Sequence, residues 1–97
     1  MKITCEKFRE HQKNSLEGFA DLVIEDIGLR LHDCTLHRSG DSEWISPPAR
    51  PYEDEEGTKR WARLIDFRTR TAFYEFQEAA KEAIRAFRER GANARKN

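Results

Sequence analysis

The segment Trp44-Ile45-Ser46-Pro47-Pro48-Ala49-Arg50-Pro51-Tyr52 sets one arginine between prolines, with aromatic side chains on either flank. An ordered guanidinium beside a tryptophan or tyrosine can pair with a phosphate while a base stacks on the ring. The bland alternative is a stiffened crossover whose Trp44 packs in the core and whose Arg50 forms a structural ion pair. Further cations follow at Lys59 and Arg60, then at Arg85, Arg88, Arg90, Arg95 and Lys96. Such clusters serve a polyanion or form solvated faces. A second group with chemical potential is His32, Asp33, Cys34 and His37, with Cys5 on another segment. Zinc needs four tetrahedral ligands, and the usual Cys-x-x-Cys pairs are absent. A cysteine nucleophile would need a histidine within hydrogen-bond reach, which no spacing here indicates. Phosphate-cradling loops are missing as well, because the five glycines are scattered singly. These residues point to a binding protein, not an enzyme, with no metal and no cofactor.

Charge at first argues against a nucleic-acid partner. The 97 residues carry 18 Lys+Arg and 18 Asp+Glu, a formal net charge of zero, where nucleic-acid-binding domains usually show a basic excess. The zero hides a polarity. Residues 1–57 hold 7 basic and 13 acidic side chains, and residues 58–97 hold 11 and 5, so −6 is followed by +6. The acidic maximum is Glu53-Asp54-Glu55-Glu56, next to Lys59 and Arg60. A charged fraction of 37 % and the lack of any run near the ~18 apolar residues of a bilayer span exclude a membrane protein. The opening residues carry no apolar stretch of the signal-peptide kind, so the expected location is cytoplasmic. Cys5 and Cys34 then read as reduced core residues.

Short strands and one helix must position these groups. Ile3 and Cys5 alternate with polar neighbours, and Glu10 to Ser15 reads as a hairpin loop. Ala20, Leu22 and Ile24 share one parity, followed by a turn at Asp26 to Gly28. Apolar residues at Ile27, Leu29 and Leu31 change parity to Cys34 and Leu36. Period-2 geometry keeps both sets on one face only if a residue is inserted, which predicts a β-bulge at His32-Asp33, with Asp33 bonding local backbone groups. The alternative is a strand buried on one face first and then on the other. Glu43 to Ser46 forms a short strand that Pro47-Pro48 ends. Residues 49–57 read as the longest loop, and Trp61 to Phe67 as a fifth strand. Phe73, Phe76, Ala80, Ala83, Ile84 and Phe87 make one stripe at period 3.6. Thr69 or Thr71 caps the start of that helix, and Gly91 stands where a C′ residue belongs. The expected fold is α+β: an antiparallel sheet of four to five short strands with one C-terminal helix packed on it. The domain covers 1–91, and 92–97 form a short basic tail. Exposed sheet edges predict a homodimer.

At these same residues the chain resembles the SpoVG family, small bacterial regulators of septation and sporulation. Met1-Lys2-Ile3-Thr4 is similar to the family's opening strand, and Leu31-His32-Asp33-Cys34 to its apolar-His-Asp-apolar segment. Gly40 aligns with the glycine of the next turn. Trp44 to Arg50 resembles the Phe-Val-x-Met-Pro-Ser-Arg stretch, matching at Pro48 and Arg50. The helix from Arg70 to Phe87 falls where the family has its own. Pro51 replaces a second basic residue, and Arg63-Leu64-Ile65-Asp66-Phe67 replaces the segment that usually precedes the helix, as in a divergent, phage- or prophage-borne relative. The resemblance implies dimerisation and DNA or RNA binding through basic loop and helix residues. Arg50 carries over by motif, Arg85, Arg88 and Arg90 by position on the helix, and Lys59 and Arg60 by charge. The alternative function is a non-catalytic protein–protein adaptor that uses a sheet edge or the acidic residues Glu53–Glu56.

Overall fold

Two tight reversals start the architecture. Asn14 (φ 53°) and Gly40 (φ 61°) occupy the left-handed region, which short hairpin turns require and which asparagine and glycine tolerate best. They join β1 (Ile3–Lys13) to β2 (Leu16–Ile24), and β3 (Leu29–Ser39) to β4 (Ser42–Ser46). The computed structural model describes residues 1–95, with side chains through residue 91. The chain goes on through β5 (Ala49–Glu53) and β6 (Lys59–Arg63) to α1 (Arg70–Arg95). The first four strands form an antiparallel sheet in the order β1-β2-β3-β4, while β5 and β6 pair with each other as a separate ribbon. The protein is α+β, with one C-terminal helix packed against the sheet.

The change of parity in β3 is resolved by a bulge at the predicted place. Ala20 pairs with Cys34 and Leu22 with Leu31, leaving Asp21 of β2 opposite both His32 and Asp33. The extra residue restores the phase, so Leu31, Cys34 and Leu36 are all buried against the helix. Asp33 takes φ 56°. Its carboxylate is not the local acceptor: the Asp33 N–H donates to Asp21 Oδ1 at 3.1 Å. A second shift lies between Cys5 and Lys7 of β1, so two strands bulge on either side of Asp21.

The core sits between sheet and helix. Cys5, Ala20, Leu22, Leu31, Cys34, Leu36 and Ile45 meet Phe76, Ala80, Ala83 and Ile84. Gly18 allows the close approach of Phe8, since a Cβ there would lie 2.6 Å from the Phe8 ring and from the Arg9 carbonyl. Gln77 is the one buried polar residue among those described. Its Oε1 accepts from the Ile45 N–H (2.9 Å) and its Nε2 donates to the Ile45 carbonyl (2.6 Å). An edge strand leaves such groups unpaired, and a helix side chain satisfies them here.

Several expectations are corrected. The Glu10–Ser15 loop shrinks to a reversal at Asn14-Ser15, because polar residues extend β1 to Lys13 on a solvent-exposed edge. Residues 49–53 are strand, not loop; Pro51 is tolerated because a two-stranded ribbon has a free edge on each side. The strand expected over Trp61–Phe67 is β6, over Lys59–Arg63, and lies outside the main sheet. Trp61 and Leu64 are exposed, as are Ile27 and Leu29. On the helical stripe Phe76 is buried but Phe73 is 40 % exposed, since it lies beyond the sheet's cover. Thr69 is the cap, its Oγ1 accepting from the Ala72 N–H at 3.1 Å. Gly91 does not end α1. It lacks a positive φ, and the helix crosses the expected 91/92 boundary to reach Arg95, since one glycine costs only ~1 kcal/mol in a helix. Of the expected tail, Lys96 and Asn97 lie outside the described residues.

Candidate nucleic-acid interface

The cations expected to bind phosphate fall into two separate groups. In the ribbon, Arg50 pairs with Ala62 and Tyr52 with Arg60. Residues directly opposite share a face, so Arg50, Tyr52 and Arg60 stand together. Lys59 lies on the other face, with Pro51, Glu53 and Trp61. Arg60 donates through Nε to Asp54 Oδ2 at 2.7 Å, while Asp54 Oδ1 accepts from the N–H groups of Glu56 and Thr58. The guanidinium and these amides hold the Asp54 carboxyl below the usual range. The acidic turn is thus tied to one of the expected cations. Arg50 and Lys59 make no ion pair among the described residues.

The other group lies on α1, beginning 15 residues after its start at Arg70, or roughly 22 Å along the axis from the end that joins the ribbon. Lys81, Arg85 and Arg88 line a groove of about 340 Å³ between the helix and the β3–β4 hairpin, where Arg38 faces them. Most of these charges are already engaged. Arg88 donates to Glu10 Oε1 at 2.8 Å, with its guanidinium 4.6 Å from the Phe8 ring centre. Arg85 bonds Glu82, Lys81 pairs with Glu78 at 3.0 Å, and Arg38 bridges Glu17 and Glu43. Arg90 lies 5.9 Å from the Phe87 ring.

The face of the sheet turned away from α1 carries the arrangement that was not singled out from the sequence. Register places Arg9, Phe19, Thr35 and Ser46 in one row across the four strands. The next row holds Lys13, Leu16, His37 and Trp44. Arg9 covers the Phe19 ring at 4.8 Å, and the His11 ring lies 5.8 Å from it. The His37 and Trp44 rings are 5.4 Å apart and within 6° of parallel. His37 is fixed from both sides, Nδ1 being 3.0 Å from Ser15 Oγ and Nε2 2.9 Å from Thr35 Oγ1. Burial lowers its pKa, favouring the neutral ring. These two rows contain no carboxylate, and Arg9 and Lys13 have no ion-pair partner among the described residues. Trp44 is 36 % exposed, so it is not the core residue of the bland reading.

Below these rows the same face becomes acidic and self-paired. Arg30 bonds Glu6 at 2.7 Å, and His32 Nδ1 lies 3.0 Å from Asp21 Oδ2. Burial raises the Asp21 carboxyl, but the Asp33 amide and His32 outweigh it and hold the group low. The Cys/His cluster of the sequence is split by the bulge. Cys34 is buried on the helix side, while His32 and His37 lie on the open side. Burial pushes the thiols of Cys5 and Cys34 up to about 11 and about 12, so both are unreactive core groups. Among the described residues no three His, Cys, Asp or Glu side chains converge as metal ligands, and no helix is long and apolar enough to cross a membrane.

A sequence signal for the open face did exist. In each strand it is the face opposite the residues packed under the helix, and it collects all three histidines of the chain. Reading it across strands needs the register, which the bulges shift. Comparisons with protein-family models, with curated proteins and with solved structures find no match to this chain.

Proposed function

We propose that this chain is a small, non-catalytic nucleic-acid-binding protein, a regulator of the kind its SpoVG-like motifs imply, acting as a homodimer in the cytoplasm. The observation that carries this reading is the carboxylate-free pair of rows on the open sheet face. There Arg9 and Lys13 supply unpaired positive charge beside Phe19, His37 and Trp44. Phosphates take the cations and bases take the rings. Arg50 and Lys59 of the ribbon add free charge, whereas Arg60, Arg85 and Arg88 must first leave Asp54, Glu82 and Glu10. Exposed pairs of this sort contribute only ~0–1 kcal/mol each, so a polyanion can exchange them. Two copies would add their modest footprints by avidity.

Fluorescence anisotropy with labelled mixed-sequence oligonucleotides tests the proposal. Affinity should fall steeply between 50 and 200 mM salt, and Arg9→Gln with Lys13→Gln should weaken binding and flatten the salt slope by about two. Absence of binding at low salt to single-stranded and duplex probes alike would overturn it.

One feature favours the adaptor reading. The ribbon exposes Trp61 at 70 %, on the face it shares with Glu53, and an isolated two-stranded ribbon is marginal unless something packs on it. Recovery of one stoichiometric protein partner after nuclease treatment, lost in Trp61→Ala, would support that alternative.

A further inference from the structure

We infer that the open face takes unpaired bases, so that the ligand is single-stranded nucleic acid, with one base on Phe19 and another on Trp44. This rests on the nucleic-acid reading and goes further by naming the strand state. A major groove about 12 Å wide admits a helix or a two-stranded ribbon. The contact surface here is four strands across, ~14 Å from β1 to β4 at the usual strand spacing, with its rings lying within the sheet's own face. A duplex could meet it only through phosphates, leaving Phe19 and Trp44 unused. Unpaired bases, by contrast, stack on aromatic rings presented by a sheet, whatever their sequence.

The spacing supports two bases. Phe19 lies on β2 and Trp44 on β4, two strands apart and displaced by one row of the register. Those offsets place them ~12 Å apart, too far for one base to cover both. His37 stands in Trp44's row on the intervening strand β3 and backs the indole with its parallel ring, so Trp44 is braced before any ligand arrives. On Phe19 the guanidinium of Arg9 occupies the place a base would take. A base that displaces it frees Arg9 to meet the adjoining phosphate, which couples stacking to charge neutralisation. Thr35 and Ser46 supply hydroxyls along Phe19's own row.

The test uses the full chain with Trp61→Phe, which leaves Trp44 as its sole tryptophan. Probes are a mixed-sequence 12-mer as single-stranded DNA, as single-stranded RNA, and as the corresponding duplexes. Either single strand should bind at least tenfold tighter than its duplex and quench Trp44 emission at saturation; the two arms show which sugar is preferred. Phe19→Leu, which keeps apolar bulk but removes the ring, should lower single-strand affinity about tenfold, with an unchanged circular dichroism spectrum and melting temperature. Duplex affinity equal to or above that of the single strands would overturn the inference while leaving the nucleic-acid reading intact. So would single-strand binding that leaves Trp44 emission and Phe19→Leu affinity unaltered. Loss of all binding would remove both readings.

Discussion

Alternate residues of the same strands build the two faces of the four-stranded sheet, and the faces differ in what they hold. Toward α1 stand Cys5, Ala20, Leu22, Leu31, Cys34, Leu36 and Ile45, all buried. Away from it stand Arg9, Phe19, Thr35, His37 and Trp44, half-buried or exposed and joined by ring contacts and hydroxyl bonds. One face excludes water and contributes stability. The other keeps aromatic surface in water, although a second helix could have covered it. A sheet in a chain this small needs only one covered face to fold, which leaves the other open to a ligand.

The sharpest way to break this contrast is to truncate one aromatic on each side. Phe76→Ala, in the covered layer, should lose about 3–5 kcal/mol in urea unfolding. Trp44→Ala, on the open face, should lose about 1 kcal/mol or less while losing single-strand binding. Equal losses of stability would mean that the open face is structural after all. Next in size is Gln77→Ala, which leaves the Ile45 N–H and carbonyl unpaired. A loss of about 1–3 kcal/mol is expected, with faster hydrogen exchange at the Ile45 amide but unchanged exchange in β2.

Asp21 joins the faces, since it sits on the open side and holds the bulge that keeps the covered side in phase. Asp21→Ala should cost about 1–2 kcal/mol and broaden the amide signals of His32 and Asp33 in heteronuclear spectra. Retention of sharp signals at unchanged shifts would show that the bulge holds without it. The smallest effect concerns His37. Its folded pKa lies below the unfolded value because burial favours the neutral ring. The unfolded chain therefore binds more protons in that range, and stability should fall as pH drops below ~6.5. Thermal melts from pH 7.5 to 5 should show a shallower decline in His37→Gln than in the parent chain.

The core was legible where one period governed it. The parity change between Leu31 and Cys34 called for an inserted residue, and the stripe from Phe76 to Ile84 called for a helix with one buried side. The β5 half of the ribbon was not legible, because Pro47, Pro48 and Pro51 mark a loop in any local reading. Only pairing across to Trp61 shows that the chain there is extended. The candidate site was legible in residue type but not in place. Arg88 looks free in sequence and is held by Glu10, 78 positions away. Arg9 looks ordinary and lies over Phe19.

By itself, then, the sequence determined the α+β class, the bulge and the helix, since each follows from periods of two or 3.6 residues within a short window. The tertiary structure alone decided which cations are engaged and which aromatic rings stay open. Those outcomes depend on register and on partners such as Gln77 and Ile45, 32 positions apart. Hydrogen bonds and ion pairs act over a few ångströms, and only the folded chain brings such distant residues that close.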